Sequence, residues 1–201
     1  RYSTEKGIYP AALEQLARTV RLIRQNAGEW HVRKDAIVIT GFSAGGHLAA
    51  EYACKWDRPA LSAAAEAERE ELRPNALVLG YPVITAGAAA HEESIHNLLG
   101  AQDTPKMRRS VSLETQVSGC VPPVFLWHTA TDEMVKAENS LLFASALARE
   151  KIPYELHIYG SGVHGVSLGT RATVGEEKHV SHGCAGWFAQ AARFLERVLH
   201  E

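Results

Sequence analysis

An apolar run, AIVIT at 36–40, leads without a spacer into GFSAGG at 41–46, and helical composition resumes from 47 to 55. Few folds accept that succession. A short continuous run rich in β-branched residues reads as a central parallel strand buried on both faces. A helix so close behind it leaves room only for a tight turn, which holds Ser43 in a strained backbone conformation. Glycines on either side remove the Cβ atoms that would collide there. The Ser43 hydroxyl then projects beside the positive end of a helix, where the Ala44 amide can donate to a developing oxyanion. Strand, serine turn and helix in this order are the setting of a nucleophile elbow. GxSxG alone is a weak signal, since small residues also make ordinary turns. The flanking elements give it weight.

The remaining chain repeats the alternation of strand and helix. Pro10 precedes Leu13, Leu16, Val20 and Ile23 at helical spacing, and Asn26-Ala27-Gly28 is a good stop. The stretch 60–72, rich in Ala, Glu and Arg, reads as a solvated surface helix. Strands are expected at 76–79 (ALVL), 124–127 (VFLW, entered by Pro122-Pro123) and 154–159. Between 83 and 121 the periodicity weakens, and loops with short helices are expected there as a cap-like excursion over one end of the sheet. Ala137, Leu141, Ala144 and Ala148 mark a further helix. Phe188, Ala191, Ala192, Leu195, Val198 and Leu199 mark the apolar face of the last one. This alternation predicts an α/β class, a mainly parallel sheet with helices on both faces, in a single domain over 1–201.

Composition narrows the partners. With 46% hydrophobic and 22% charged residues and a net charge of -2, the 201-residue chain has the balance of a soluble globular domain. It shows no basic footprint for nucleic acid and no apolar run of membrane-spanning length. A small neutral substrate is the expectation. Cys54, Cys120 and Cys184 form no CxxC pair, so buried thiols and a reducing compartment, the cytoplasm, are expected. His91 and His96, five apart, do not share a helical face, and no histidine pair has metal spacing.

A nucleophilic serine needs a base, and the base needs an orienting acid, in the order serine, acid, histidine on such a sheet. Asp132, just past the third strand in HTATDE, is the candidate acid; a turn or cap aspartate is the plain alternative. Glu133 is its nearest competitor, while Asp57 and Asp103 are poorly placed. Among ten histidines, His164 in GVHG lies in a loop beyond the fourth strand, from which its ring can reach Ser43. His182 is the reserve, and His179 reads as a surface residue. His157 alternates within a strand and is expected to pack, as is His47 on the nucleophile helix unless it faces solvent. His91, His96 and His128 are candidates to line the cleft.

The strings GFSAGGHLAA, LGYPVI, HNLLG, VPPVFLWHTATDEMV and ENSLLFASAL, with ELHIY and GVHG, resemble the bacterial acetyl esterase and acetylxylan-esterase-like α/β hydrolases. That group overlaps the hormone-sensitive-lipase-like and feruloyl-esterase-like families. The likeness runs from Tyr2 nearly to Trp187. It implies an α/β-hydrolase fold with Ser43, Asp132 and His164 as nucleophile, acid and base. It also implies cleavage of acetyl or other short acyl esters, on sugars or xylan fragments, without metal or organic cofactor. The stretch 82–119, opening at Pro82, would overhang the acyl pocket, and Val135 would lie near it.

One departure concerns the N-terminal side. Members of the group usually carry an HGGG-type loop upstream that supplies further oxyanion amides, and only 42 residues precede Ser43. Tyr2 reads as the end of a strand, so the expectation is an N-terminally shortened member whose first strands are missing. Losing an oxyanion donor costs about 10²–10³ in turnover. An unpaired sheet edge favours a homodimer that covers it. Two other readings stand beside the esterase. One is a prolyl-oligopeptidase-type peptidase, against which Ala44 stands where those enzymes favour an aromatic residue. The other is a non-catalytic remnant acting as a binding module.

Overall fold

The computed structural model describes residues 5–7, 9–173 and 183–200. Helix α1 (Ala11–Gln25) leads to strand β1 (Val38–Phe42) and helix α2 (Ala44–Lys55). Helix α3 (Pro59–Ala65) and a 3-10 turn (Arg69–Leu72) precede strand β2 (Ala76–Gly80). Helices α4 (Glu92–Leu99) and α5 (Pro105–Val111), with two more 3-10 turns, fill the excursion before strand β3 (Val124–Thr129). Helix α6 (Glu138–Arg149), strand β4 (Tyr154–Tyr159) and helix α7 (Trp187–His200) complete the order. Tyr2, His179 and His182 lie outside the described residues.

The four strands form one parallel sheet in the order β1-β2-β3-β4. Side chains alternate across it, as a period of two requires. Leu77, Leu79, Val124 and Leu126 meet Ala49, Ala53, Phe143 and Leu147 from α2 and α6 on one face. Val78, Phe125 and Trp127 meet Trp187, Ala191 and Phe194 from α7 on the other. Burial of strands β2 and β3 on both faces explains their unbroken apolar sequences. Helix α1 packs outside the first layer through Leu13, Ala17 and Val20 against Tyr52, Trp56 and Leu61. No helix among the described residues is long and apolar enough to cross a membrane.

Several expectations need correction. Strand β1 starts two residues later than the apolar run and, among the described residues, is an edge strand. Val38 and Ile39 are only half-buried and Thr40 is exposed, because only one side of the strand has a partner there. The stretch 60–72 is not one helix but the α-helix α3 followed by a 3-10 turn. Glu66 takes a left-handed conformation (φ 50°) and ends α3, while Leu61, Ala65 and Leu72 are buried.

The inward face of α6 carries Asn139, Ser140, Phe143 and Leu147, whereas Leu141 is 49% exposed. Polar groups turn that face: Asn139 Oδ1 accepts the amides of Ile84 and Thr85 at 2.8 and 3.0 Å, fixing the start of the excursion. Helix α7 buries Trp187, Ala191 and Phe194 but leaves Phe188 64% exposed. The Trp187 ring decides that register by stacking on Trp127 at 5.1 Å.

Of the cysteines expected to be buried, Cys54 and Cys184 are, and burial pushes the Cys54 thiol up to about 12. Cys120 is half-buried, its Sγ 3.1 Å from Ser118 Oγ.

Candidate active site

Ser43 joins β1 to α2 with φ 54° and ψ -122°, a strained conformation that clusters at functional sites. A Cβ on Gly41 would lie 2.3 Å from the Gly45 carbonyl oxygen, and one on Gly46 would lie 2.7 Å from Pro82 Cβ. No side chain fits at either place. The turn is also tied to the end of β2. Ser43 N donates to Gly80 O at 3.1 Å, and Ser43 O accepts from Val83 N at 3.1 Å. Ala44 opens α2, where the first amides of a helix lack intrahelical acceptors.

Asp132 and His164 come from loops beyond β3 and β4, the end of a parallel sheet where ligands gather. His164 Nε2 is 2.8 Å from Ser43 Oγ, and His164 Nδ1 is 2.7 Å from Asp132 Oδ2. A carboxylate only accepts, so Nδ1 carries the proton and Nε2 receives the serine hydroxyl. Asp132 Oδ1 accepts the amides of Met134 and Val135 at 3.0 and 2.9 Å. Burial pushes the Asp132 carboxyl upward. Donors at His128, His164 and the Val135 amide outweigh it and hold the group well below the usual carboxylate range.

The base loop is clamped to the acid loop through Gly162. Its carbonyl accepts from Thr129 Oγ1 at 2.9 Å and Thr131 Oγ1 at 3.1 Å, and its amide donates to Thr131 Oγ1 at 2.9 Å. Three distant residues thus form one chain of hydrogen bonds. In chemical terms it can draw a proton from a serine hydroxyl and hold it on an oriented imidazole.

The other candidates fall elsewhere. Glu133 is exposed; Asp57 lies 3.6 Å from Arg69, and Asp103 pairs with Arg108 at 2.7 Å. His157 lies in β4 against Glu155 and the Phe125 ring, and His91 caps α4 through Ser94. His96 lies 3.8 Å from Asp103, its side chain 70% exposed. His128 does not line the cleft: it is fully buried behind Asp132. Pro82 is buried against Gly46, and Val135 is 1% exposed in a cluster with Val83, Ile95 and Leu99.

Tyr81, not singled out from the sequence, and His47, which packs as one of its two expected alternatives, both have evident structural duties here. Tyr81 follows β2 with φ 36°, its ring against His164 and its hydroxyl accepting from Ser167 N at 3.3 Å. Its place just after a strand, at the same rim as Ser43 and Asp132, is the signal that marks it. His47 Nδ1 lies 3.1 Å from Val83 O, one turn beyond the serine. Only the fold puts those two together.

The BD-FAE family model matches residues 1–147, well over half of the chain. The chain belongs to the BD-FAE family. It is 38% identical over 161 residues to endo-1,4-beta-xylanase B of Butyrivibrio fibrisolvens, across 80% of the chain and 25% of that relative. It is 32% identical over 155 residues to an acetylxylan esterase of Xylanibacter ruminicola, across 75% of the chain and 30% of the relative. The chain therefore spans about a quarter to a third of the length of these curated relatives. Among solved structures, a carboxylesterase from Lactobacillus plantarum superposes with a TM-score of 0.83 and 31% identity, covering 96% of the chain and 70% of that protein. The fold of this BD-FAE chain is accordingly the α/β-hydrolase fold, and Ser43, Val83 and Asp132 all lie within the matched span.

Proposed function

We propose that this BD-FAE chain hydrolyses small carboxylic esters through an acyl-enzyme. Ser43 Oγ attacks the ester carbonyl while His164 Nε2 takes its proton and returns it to the leaving alcohol. Water then attacks the acyl-serine with the same histidine as base. Asp132 keeps the imidazole in the Nδ1–H tautomer and stabilises its charged form, and the Ala44 amide donates to the oxyanion. The observation that carries this reading is the unbroken sequence of contacts from Ser43 Oγ through His164 to Asp132, at 2.8 and 2.7 Å.

Acetyl or other short acyl groups on sugars or xylan fragments are the substrates we assign. The acetylxylan esterase named among the relatives and the carboxylesterase among the structural neighbours support that choice. Fluorophosphonate labelling with parallel hydrolysis of p-nitrophenyl acetate and an acetylated xylo-oligosaccharide tests it. The wild type is expected to take the label and cleave both esters, and Ser43→Ala to do neither. A wild-type chain that resists the label overturns the acyl-enzyme reading. Cleavage of p-nitrophenyl acetate alone overturns the carbohydrate assignment.

A further inference from the structure

His128 lies near the end of β3 with 0% exposure, and a buried imidazole needs partners for both ring nitrogens. Its Nε2 is 2.8 Å from Val135 O and 3.4 Å from Asp132 Oδ2. Both of those atoms only accept, so Nε2 carries the proton. Its Nδ1 is 2.8 Å from Ser140 Oγ, a fully buried hydroxyl on α6 that can both donate and accept.

The turn after Asp132 is thus held from two sides. Oδ1 gathers the amides of Met134 and Val135, and His128 takes the Val135 carbonyl. The carboxylate cannot rotate without giving up a partner, and Oδ2 is left facing His164. An apolar side chain of the same size would fill the space but leave Val135 O and Ser140 Oγ unpaired, a costly outcome in a core.

We propose that His128 is a positioning residue for Asp132: its Nε2–H anchors the Val135 carbonyl, fixes which carboxylate oxygen meets His164, and lies 3.4 Å from that oxygen. The inference rests on reading Asp132 as the acid of the catalytic triad. It gives the second buried histidine of the site a duty in the reaction rather than in core filling.

Side-chain length provides the test. A glutamine amide nitrogen falls near the place of Nε2, whereas an asparagine nitrogen falls near that of Nδ1. His128→Gln is expected to keep kcat within about threefold. His128→Asn is expected to lose roughly ten- to hundredfold in kcat with KM little changed, the range typical of lost orienting partners. Its kcat/KM profile should also shift its acid limb to higher pH, because a carboxylate with one N–H fewer nearby holds the His164 proton more tightly. The titratable groups facing Asp132 among the described residues are His128, His164 and Tyr81. The last two are unchanged in both variants.

A wild-type profile in His128→Asn overturns the proposal, as does an equal loss in both variants that follows their melting temperatures. If neither variant folds, Ser140→Ala decides, since it frees Nδ1 and loosens the tautomer. A severalfold drop in kcat with a displaced acid limb supports the proposal, and a wild-type profile defeats it. Ser43→Ala in the same assay separates the two readings. If it retains turnover, the triad reading itself fails. If it is inactive while His128→Asn is unaffected, only the role of His128 fails.

Discussion

The ring of Tyr81 stands edge-on to the imidazole of His164, with centroids 4.9 Å apart and planes at 69°. The other face of the contact is Trp127, at 5.0 Å and 87°, so the imidazole is backed by a rigid stack reaching into the core. Such aromatic pairs are worth about 0.5–1.5 kcal/mol beyond burial, or roughly two- to tenfold in a rate. Tyr81→Leu should therefore lower kcat by about that factor, whereas Tyr81→Phe keeps the ring and should stay close to wild type. Steady-state kinetics on p-nitrophenyl acetate checks both.

Gly46 and Pro82 are in contact at a distance that excludes a methyl group, since a Cβ on Gly46 would meet Pro82 Cβ at 2.7 Å. Pro82 cannot retreat freely, because Val83 is bonded to both Ser43 O and His47. Gly46→Ala is expected to cost about 1–3 kcal/mol of stability by overpacking and to displace the elbow, lowering kcat as well. Urea denaturation alongside turnover measures the two effects. An alanine variant with unchanged values would contradict the rigidity of this contact.

His47 donates through Nδ1 to Val83 O, and its buried Nε2 has no hydrogen-bond partner among the described residues. Burial holds the ring below its ordinary value, partly opposed by Glu51 and reinforced by Lys55. As pH falls past about 6.5, the unfolded chain takes a proton that the folded ring resists. Stability is therefore complete above that pH and declines below it. His47→Asn keeps a donor near the position of Nδ1 but cannot titrate. Between pH 7.5 and 5.5 its urea midpoint should fall less than that of the wild type.

Glu51 and Lys55 form an ion pair on α2 with side chains only 2% and 3% exposed. Tyr9 Oη donates to Glu51 at 2.8 Å, and Lys55 Nζ also reaches Ser110 O at 3.0 Å. Removing one partner of a buried pair strands the other charge, at a cost of about 3–5 kcal/mol. Lys55→Met should lose stability in that range, and adding Glu51→Gln should restore much of it. A denaturation cycle over the four chains reads the coupling, and strictly additive losses would refute the pairing.

The elbow was legible because every requirement on it is local. The strand run, the glycines at 41, 45 and 46 and the following helix lie within twenty residues, and each is demanded by sterics alone. Asp132 and His164 were legible for a related reason: each follows a strand, and parallel strands present their C-terminal ends to one rim. Apolar spacing marks α6 without giving its inward face, because Asn139 and Ser140 turn inward to bond, and it misplaces Phe188 of α7, which turns outward. Hydrophobic periodicity takes every polar residue as solvated. The half-burial of β1 is at odds with its composition, which is that of a strand covered on both faces, because pairing is not written in composition.

By itself the sequence determined the order of elements, the serine turn and the residue types of the site. The tertiary structure decided what acts on what. Ser43 and His164 are 121 positions apart, His128 and Ser140 belong to different layers, and Tyr81 reaches His164 only across the rim. Propensity and local sterics operate over a few residues. The choice of which carboxylate oxygen faces the imidazole depends on hydrogen bonds that exist only once the loops beyond β2, β3 and β4 are brought to one rim.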